Sequence, residues 1–133
     1  MSKKIFFVIV SISVVILFSA LIYINKETNQ IEYFADVDSL ITSKISGEYQ
    51  IIEKFTIGKR TFYMVNNDVD DTPTFMLFAT LEQNGQFILE KSTVRLGLTD
   101  DNSLSFGFSV DNIELQCLIH KQGDKYIFEY TRV

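Results

Sequence analysis

From Ile5 to Ile24 the chain carries no charge, and nearly every position is apolar: Ile5-Phe-Phe-Val-Ile-Val-Ser-Ile-Ser-Val-Val-Ile-Leu-Phe-Ser-Ala-Leu-Ile-Tyr-Ile24. Lys3 and Lys4 precede this run, and the next charged residue is Lys26. At about 1.5 Å per residue such a helix is about 30 Å long, the thickness of a bilayer's hydrocarbon core. Tyr23 falls at the depth where amphipathic rings settle among headgroups. A cleaved signal peptide would need a shorter apolar core and a small-x-small site after it. Here Phe18 stands three residues before Ala20, and the small pair Ser11 and Ser13 lies inside the apolar run. No cysteine lies near this end to carry a lipid anchor. The pattern therefore predicts a retained span over 5–24. Basic residues stay cytoplasmic, and Lys3 and Lys4 outweigh Lys26 with Glu27 and Glu32 beside it. The N-terminus (1–4) is accordingly placed inside and the rest of the chain outside.

Residues 25–47 read as a juxtamembrane linker and helix. Ile31, Phe34, Val37, Leu40 or Ile41, and Ile45 recur at roughly helical spacing, and Gly47 is a suitable stop. After Gly47 the period becomes two. Four two-residue turns punctuate it: Gly58-Lys59, Asn84-Gly85, Asp111-Asn112 and Gly123-Asp124. Their residue types tolerate the positive φ of tight hairpin turns.

A hairpin turn fixes which residues oppose one another, so turns and hydrophobic pattern test each other. Around Asp111-Asn112 the opposed pairs Val110–Ile113, Phe108–Leu115, Phe106–Cys117 and Leu104–Ile119 are all apolar. The alternate face pairs Ser109–Glu114, Gly107–Gln116, Ser105–Leu118 and Ser103–His120. Continuing across Gly123-Asp124 brings Phe128 to Ile119 and Tyr130 to Cys117 on the apolar face. Around Asn84-Gly85, Leu81 meets Ile88 and Thr80 meets Leu89. The segment Thr74–Leu81 is apolar on both faces, which predicts a central strand covered on both sides, the second by the juxtamembrane helix. The first hairpin, Tyr49–Ile57 with Thr61–Val65, sets Phe55 opposite Phe62. Longer connections, Asn66–Pro73 and Arg95–Asn102, are expected between these units. The fold class is α+β: a transmembrane helix, a short juxtamembrane helix, then an antiparallel β-meander of about seven strands over 48–133. A helix and meander behind one anchor resemble, in layout alone, surface proteins of Gram-positive bacteria.

Charge narrows the function classes. The chain has 12 Lys and Arg against 17 Asp and Glu; setting Lys3 and Lys4 aside leaves ten against seventeen, a net charge of −7 from Asn25 onward. Phosphate backbones repel such a domain, so no nucleic-acid partner is expected. The single cysteine, Cys117, cannot form an internal disulfide.

Candidate chemistry is sparse. Cys117 and His120 are three residues apart on a strand, hence on opposite faces, and cannot form a nucleophilic couple. Cys117 is expected in the core as a small hydrophobe, and His120 on the polar face. One His and one Cys do not make a structural zinc site, and no G-x-S-x-G or phosphate-binding glycine loop is present. Asp68, Asp70 and Asp71 have alternate carboxylates, but an EF-hand would need Gly and Glu where Pro73 and Ala79 stand. They read as a solvated acidic loop, as does Asp100-Asp101-Asn102. No metal or cofactor is expected. Two charges break the apolar phase: Glu53, opposite Met64, and Arg132, opposite Leu115. They could line a ligand pocket or pair with each other. The weightier reading is a bulge or an open rim with the heads in water.

The sequence thus predicts a single-pass cell-membrane protein with an extracytoplasmic, non-enzymatic interaction or accessory domain whose partner is another membrane or cell-surface protein. A small-ligand module, its pocket lined by Phe55, Phe62, Phe78 and Tyr130 between helix and sheet, is the alternative. An anchored hydrolase using carboxylates alone is the weaker third.

Overall fold

A computed structural model describes residues 31–133, with Ser13, Val15 and Ile16 of the N-terminal stretch, which are helical. The chain divides between Ile31 and Glu32, and the unit Glu32–Val133 is the subject below. Among the described residues no helix is long and apolar enough to cross a membrane. The span expected over 5–24 lies, those three positions apart, outside the described residues.

The elements are β1 (Tyr33–Phe34), α1 (Val37–Thr42), β2 (Gln50–Ile57), β3 (Arg60–Val69), β4 (Thr72–Gln83), β5 (Gln86–Ser92), β6 (Leu96–Gly97), β7 (Ser103–Val110), β8 (Ile113–Gln122) and β9 (Lys125–Arg132). Every strand pairing is antiparallel. The seven longer strands are those the alternation predicts. They do not form one meander. One sheet has the order β1-β5-β4-β3-β2 with β6 also against β4, and β7-β8-β9 form a second.

The two sheets face each other. Phe62, Met64, Phe75, Leu77 and Ala79 project from the first into one cluster with Leu104, Phe108, Val110, Ile113, Leu115, Cys117, Ile119 and Phe128 from the second. The opposite face of the first sheet presents Tyr63, Val65, Met76 and Phe78 to Leu40, Ile41 and Ile45. The arrangement is three layers: short helix, large sheet, small sheet. Strand β4 is the middle of all three, with Phe75 to Thr80 buried on both faces, as its two-sided apolar pattern predicts.

The helix is shorter than its hydrophobic stripe. Asp36, in extended conformation, accepts the Ser39 N–H at 2.7 Å and so starts α1 at Val37. Upstream, Tyr33 and Phe34 pair with Ile88 and Phe87 at the edge of β5. A sheet edge has satisfied the backbone that the stripe alone would assign to a helix. Ile31 stays exposed.

Both expected long connections are also shorter. Asp70 and Asp71 have φ of 51° and 62°, a two-residue turn that closes Val69 on Thr72 and carries the ladder through Asn66–Phe75, Asn67–Thr74 and Asp68–Pro73. Aspartate is among the few residues that enter the left-handed region at modest cost. Counting from the closing pair, Asp68 and Pro73 form a non-hydrogen-bonded pair, so the missing proline N–H costs no ladder bond. Within Arg95–Asn102, Leu96 and Gly97 pair with Phe75 and Thr74 as β6.

The expected registers are observed. Cys117 opposes Phe106 on one side and Tyr130 on the other, Leu81 opposes Ile88, and Phe55 opposes Phe62.

Candidate functional site

Two β-bulges decide where the charged side chains go. In β2, Ile51 pairs with Val65 and Glu53 with Met64, leaving Ile52 as the extra residue. The bulge turns Ile52 onto the core, and Glu53 is exposed. Arg132, opposite Leu115 at the end of edge strand β9, is exposed too. Among the described residues no ion pair joins Glu53 to Arg132.

The second bulge creates the charged cluster that periodicity does not reveal. Ala79 pairs with Lys91 and Thr80 with Leu89, so Glu90 is the extra residue of β5. Its carboxylate receives Arg60 in a two-pronged contact, Nε to Oε2 at 2.6 Å and Nη2 to Oε1 at 2.8 Å. Nη2 also donates to Asp111 Oδ2 at 3.0 Å, in the β7–β8 turn. Arg60 is 8% exposed. The hydrogen bond to Glu90, with the charges of Glu90 and Asp111, raises the guanidinium above its ordinary value. A planar fork matched to a carboxylate is the strong form of such a contact. Through Nε and Nη2 its guanidinium joins the two sheets. Residue type alone gave a faint signal: an arginine at the first position after a tight turn, in phase with Phe62 and Met64.

The aromatics expected to share a pocket do not share a face. Phe78 lies under α1. Phe55 instead stacks on Phe62 at 4.8 Å and on Tyr130 at 4.0 Å, between the sheets. Phe62 meets the edge of Phe108 at 6.2 Å. Rings at such spacings fill the space a ligand would need.

Open ground lies instead beside the connection from α1 to β2. A depression of about 450 Å³ is lined by Glu48, Tyr49, Gln50, Asn66 and Asp68. Tyr49 donates its hydroxyl proton to Asp38 Oδ1. That bond, with partial burial and the charges of Asp38 and Asp36, pushes the phenol up to about 12. Next to it Asn67, 4% exposed, donates Nδ2 to the Glu48 carbonyl at 2.7 Å and the Ser46 carbonyl at 3.4 Å. Its Oδ1 is buried and has no donor among the described residues. The two backbone bonds fix the Ser46–Glu48 connection onto β3.

The remaining candidates sit as ordinary polar groups. Cys117 is 2% exposed, and burial pushes its thiol up to about 11. Its partner in spacing, His120, is half-buried on the other face, opposite Ser103 and Ile127. Asp68, Asp70 and Asp71 are exposed. Asp101 accepts from the Thr99 and Ser103 hydroxyls, which lower its pKa. Among the described residues no cluster of three or more His, Cys, Asp or Glu is arranged to hold a metal ion. No family model matches the chain, and searches of curated proteins and of solved structures found no match.

Proposed function

We propose that this chain is a non-enzymatic interaction domain displayed outside the cell membrane, held by a single span over 5–24 with its N-terminus in the cytoplasm. The observation that carries the reading is the packing of Phe55, Phe62 and Tyr130 on one another. The aromatic surface best suited to a small molecule is consumed in joining the two sheets. The buried guanidinium of Arg60 is likewise matched to Glu90 and Asp111 rather than aimed at a cleft. What remains for recognition is outer surface and sheet edge. The anchor is supported by the uncharged run from Ile5 to Ile24 and the lysines before it. The partner, on this reading, is another membrane or cell-surface protein.

A small-ligand reading draws on one observation, the depression at Glu48–Gln50, whose 450 Å³ is in the size range of ligand sites. It is a broad opening on the surface, whereas such sites enclose most of their ligand.

Protease added to intact cells should remove the domain from 32–133 and leave a fragment of the first thirty-odd residues in the membrane fraction. A domain that is protected in intact cells and digested after lysis would refute the orientation. A full-length chain recovered from the soluble fraction would refute the anchor.

A further inference from the structure

The second sheet has one undefended edge. The register across Asp111-Asn112 closes on Val110–Ile113. In a two-residue hairpin that pair is hydrogen-bonded, and bonded and non-bonded pairs then alternate. Val110, Phe108, Phe106 and Leu104 therefore bond to β8, while Ser109, Gly107, Ser105 and Ser103 turn their N–H and C=O groups away from it. Independent contacts agree with this phase. The Ser103 carbonyl accepts from the Thr99 N–H at 2.8 Å, and the Ser109 carbonyl accepts from Lys91 Nζ. Between these two, β7 has no further neighbour strand among the described residues. Ser105 and Gly107 are both exposed, and their two N–H and two C=O groups have no bonding partner among the described residues.

Free strand edges are normally blunted. Strand β2 carries a bulge with Glu53 and Lys54 beside it. Strand β9 carries Lys125, Glu129 and Arg132 and lies against β2 through Tyr130 and Phe55. Strand β1 is two residues long. By contrast β7, Ser103–Val110, has eight residues with no charge, no proline and no bulge.

We propose that this edge pairs antiparallel with β7 of a second copy of the chain, about a two-fold axis at Phe106. The inference rests on the interaction-domain reading and names its partner. With that axis, Ser105 lies opposite Gly107 of the other copy and Gly107 opposite its Ser105. Four backbone hydrogen bonds then use all four backbone groups of Ser105 and Gly107. The occupied carbonyls of Ser103 and Ser109 stand three residues either side of Phe106, so the free window is itself two-fold symmetric. A symmetric window is what an isologous contact requires, whereas a foreign peptide would place no such demand. The uncharged strand lets identical copies approach without like charges meeting at the seam, although each chain carries a net charge of −5. Strand addition of this kind draws its affinity from main-chain bonds. With only four it is a weak contact, which copies confined to one membrane reach through raised effective concentration.

The test uses the full chain in its membrane with a photocrosslinking phenylalanine analogue in place of Ser109, whose side chain would face Ser103 of the other copy. Irradiation should give a product of twice the chain mass. Ser105→Pro removes an N–H that the fold does not use, and Ser105→Lys places two cations at the seam. Each should lower the yield by at least about tenfold. Protection of Cys117 from thiol reagents reports that a variant is folded. Should Ser105→Pro lose that protection, Ser105→Lys decides. Equal yield in a folded variant, or no product at twice the mass, overturns the pairing. A product of another mass overturns it while leaving the interaction reading in place.

Discussion

Cys117 is the residue whose surroundings make the sharpest demand. It lies between Phe106 and Tyr130 with 2% of its surface exposed, where a thiolate would be stripped of water. Its thiol should label slowly in the folded chain and fast in denaturant, and Cys117→Ser should cost about 1–3 kcal/mol by burying a hydroxyl with no partner. The folded pKa is about 11 against 9.0 for the exposed group. Below pH about 9 both states hold the proton and the group has no effect on stability. Above it the unfolded thiol ionises first, so stability falls as pH rises, by up to about 1.4 kcal/mol per unit until the folded value is reached. Tyr49 acts in the same direction from its ordinary value of 10.0 upward. Denaturant midpoints measured between pH 9 and 10 for the native chain and Cys117→Ala therefore isolate the cysteine; parallel lines would remove it from the core. Glu53 makes no such demand. It stands exposed beside the Ile52 bulge, so Glu53→Gln should change stability by less than about 0.5 kcal/mol. A loss of several kcal/mol, rescued by replacing Arg132 as well, would show that these two charges pair after all.

At the scale of elements, turns and caps decide lengths that hydrophobic periodicity leaves open. The clearest case is the β3–β4 hairpin, where both central residues, Asp70 and Asp71, hold positive φ. Two neighbouring carboxylates in the left-handed region are a strained choice, since asparagine followed by glycine is the sequence that geometry favours. Asp71→Gly should therefore raise stability by about 0.5–1 kcal/mol, because glycine adopts that φ without steric cost and one of three crowded acids disappears. A destabilisation measured by chemical denaturation would mean that Asp71 makes a compensating contact. The helix shows the same logic in reverse. Asp36 supplies the cap that begins α1, and its carboxylate is held below its usual range by the hydrogen bonds from Ser39. Six residues are too few to be helical alone, so Leu40, Ile41 and Ile45, all buried on the sheet, hold α1 in place.

The whole molecule is held by contacts between its layers. Phe62 on the large sheet and Phe108 on the small one meet in the central cluster. At one end of the sandwich Arg60 reaches Glu90, 30 residues away, and Asp111, 51 residues away. By itself the sequence determined the seven long strands, four of their tight turns, the registers on either side of Cys117, and the two-sided burial of β4. The reason is that strand period, turn chemistry and register are local, and a slip of one residue would have turned every apolar side chain outward. The uncharged run from Ile5 to Ile24 is equally a property of the sequence. Only the tertiary structure decided the rest. Alternation shows that a face is apolar but not which apolar face it meets, so one meander and two stacked sheets look alike along the chain. The stripe from Ile31 to Ile45 suits a long helix until the edge of β5 takes Tyr33 and Phe34 into the sheet. Bulges at Ile52 and Glu90 insert single residues whose direction depends on the partner strand. That is why Glu53 turned to water, and why the buried charge belongs to Arg60.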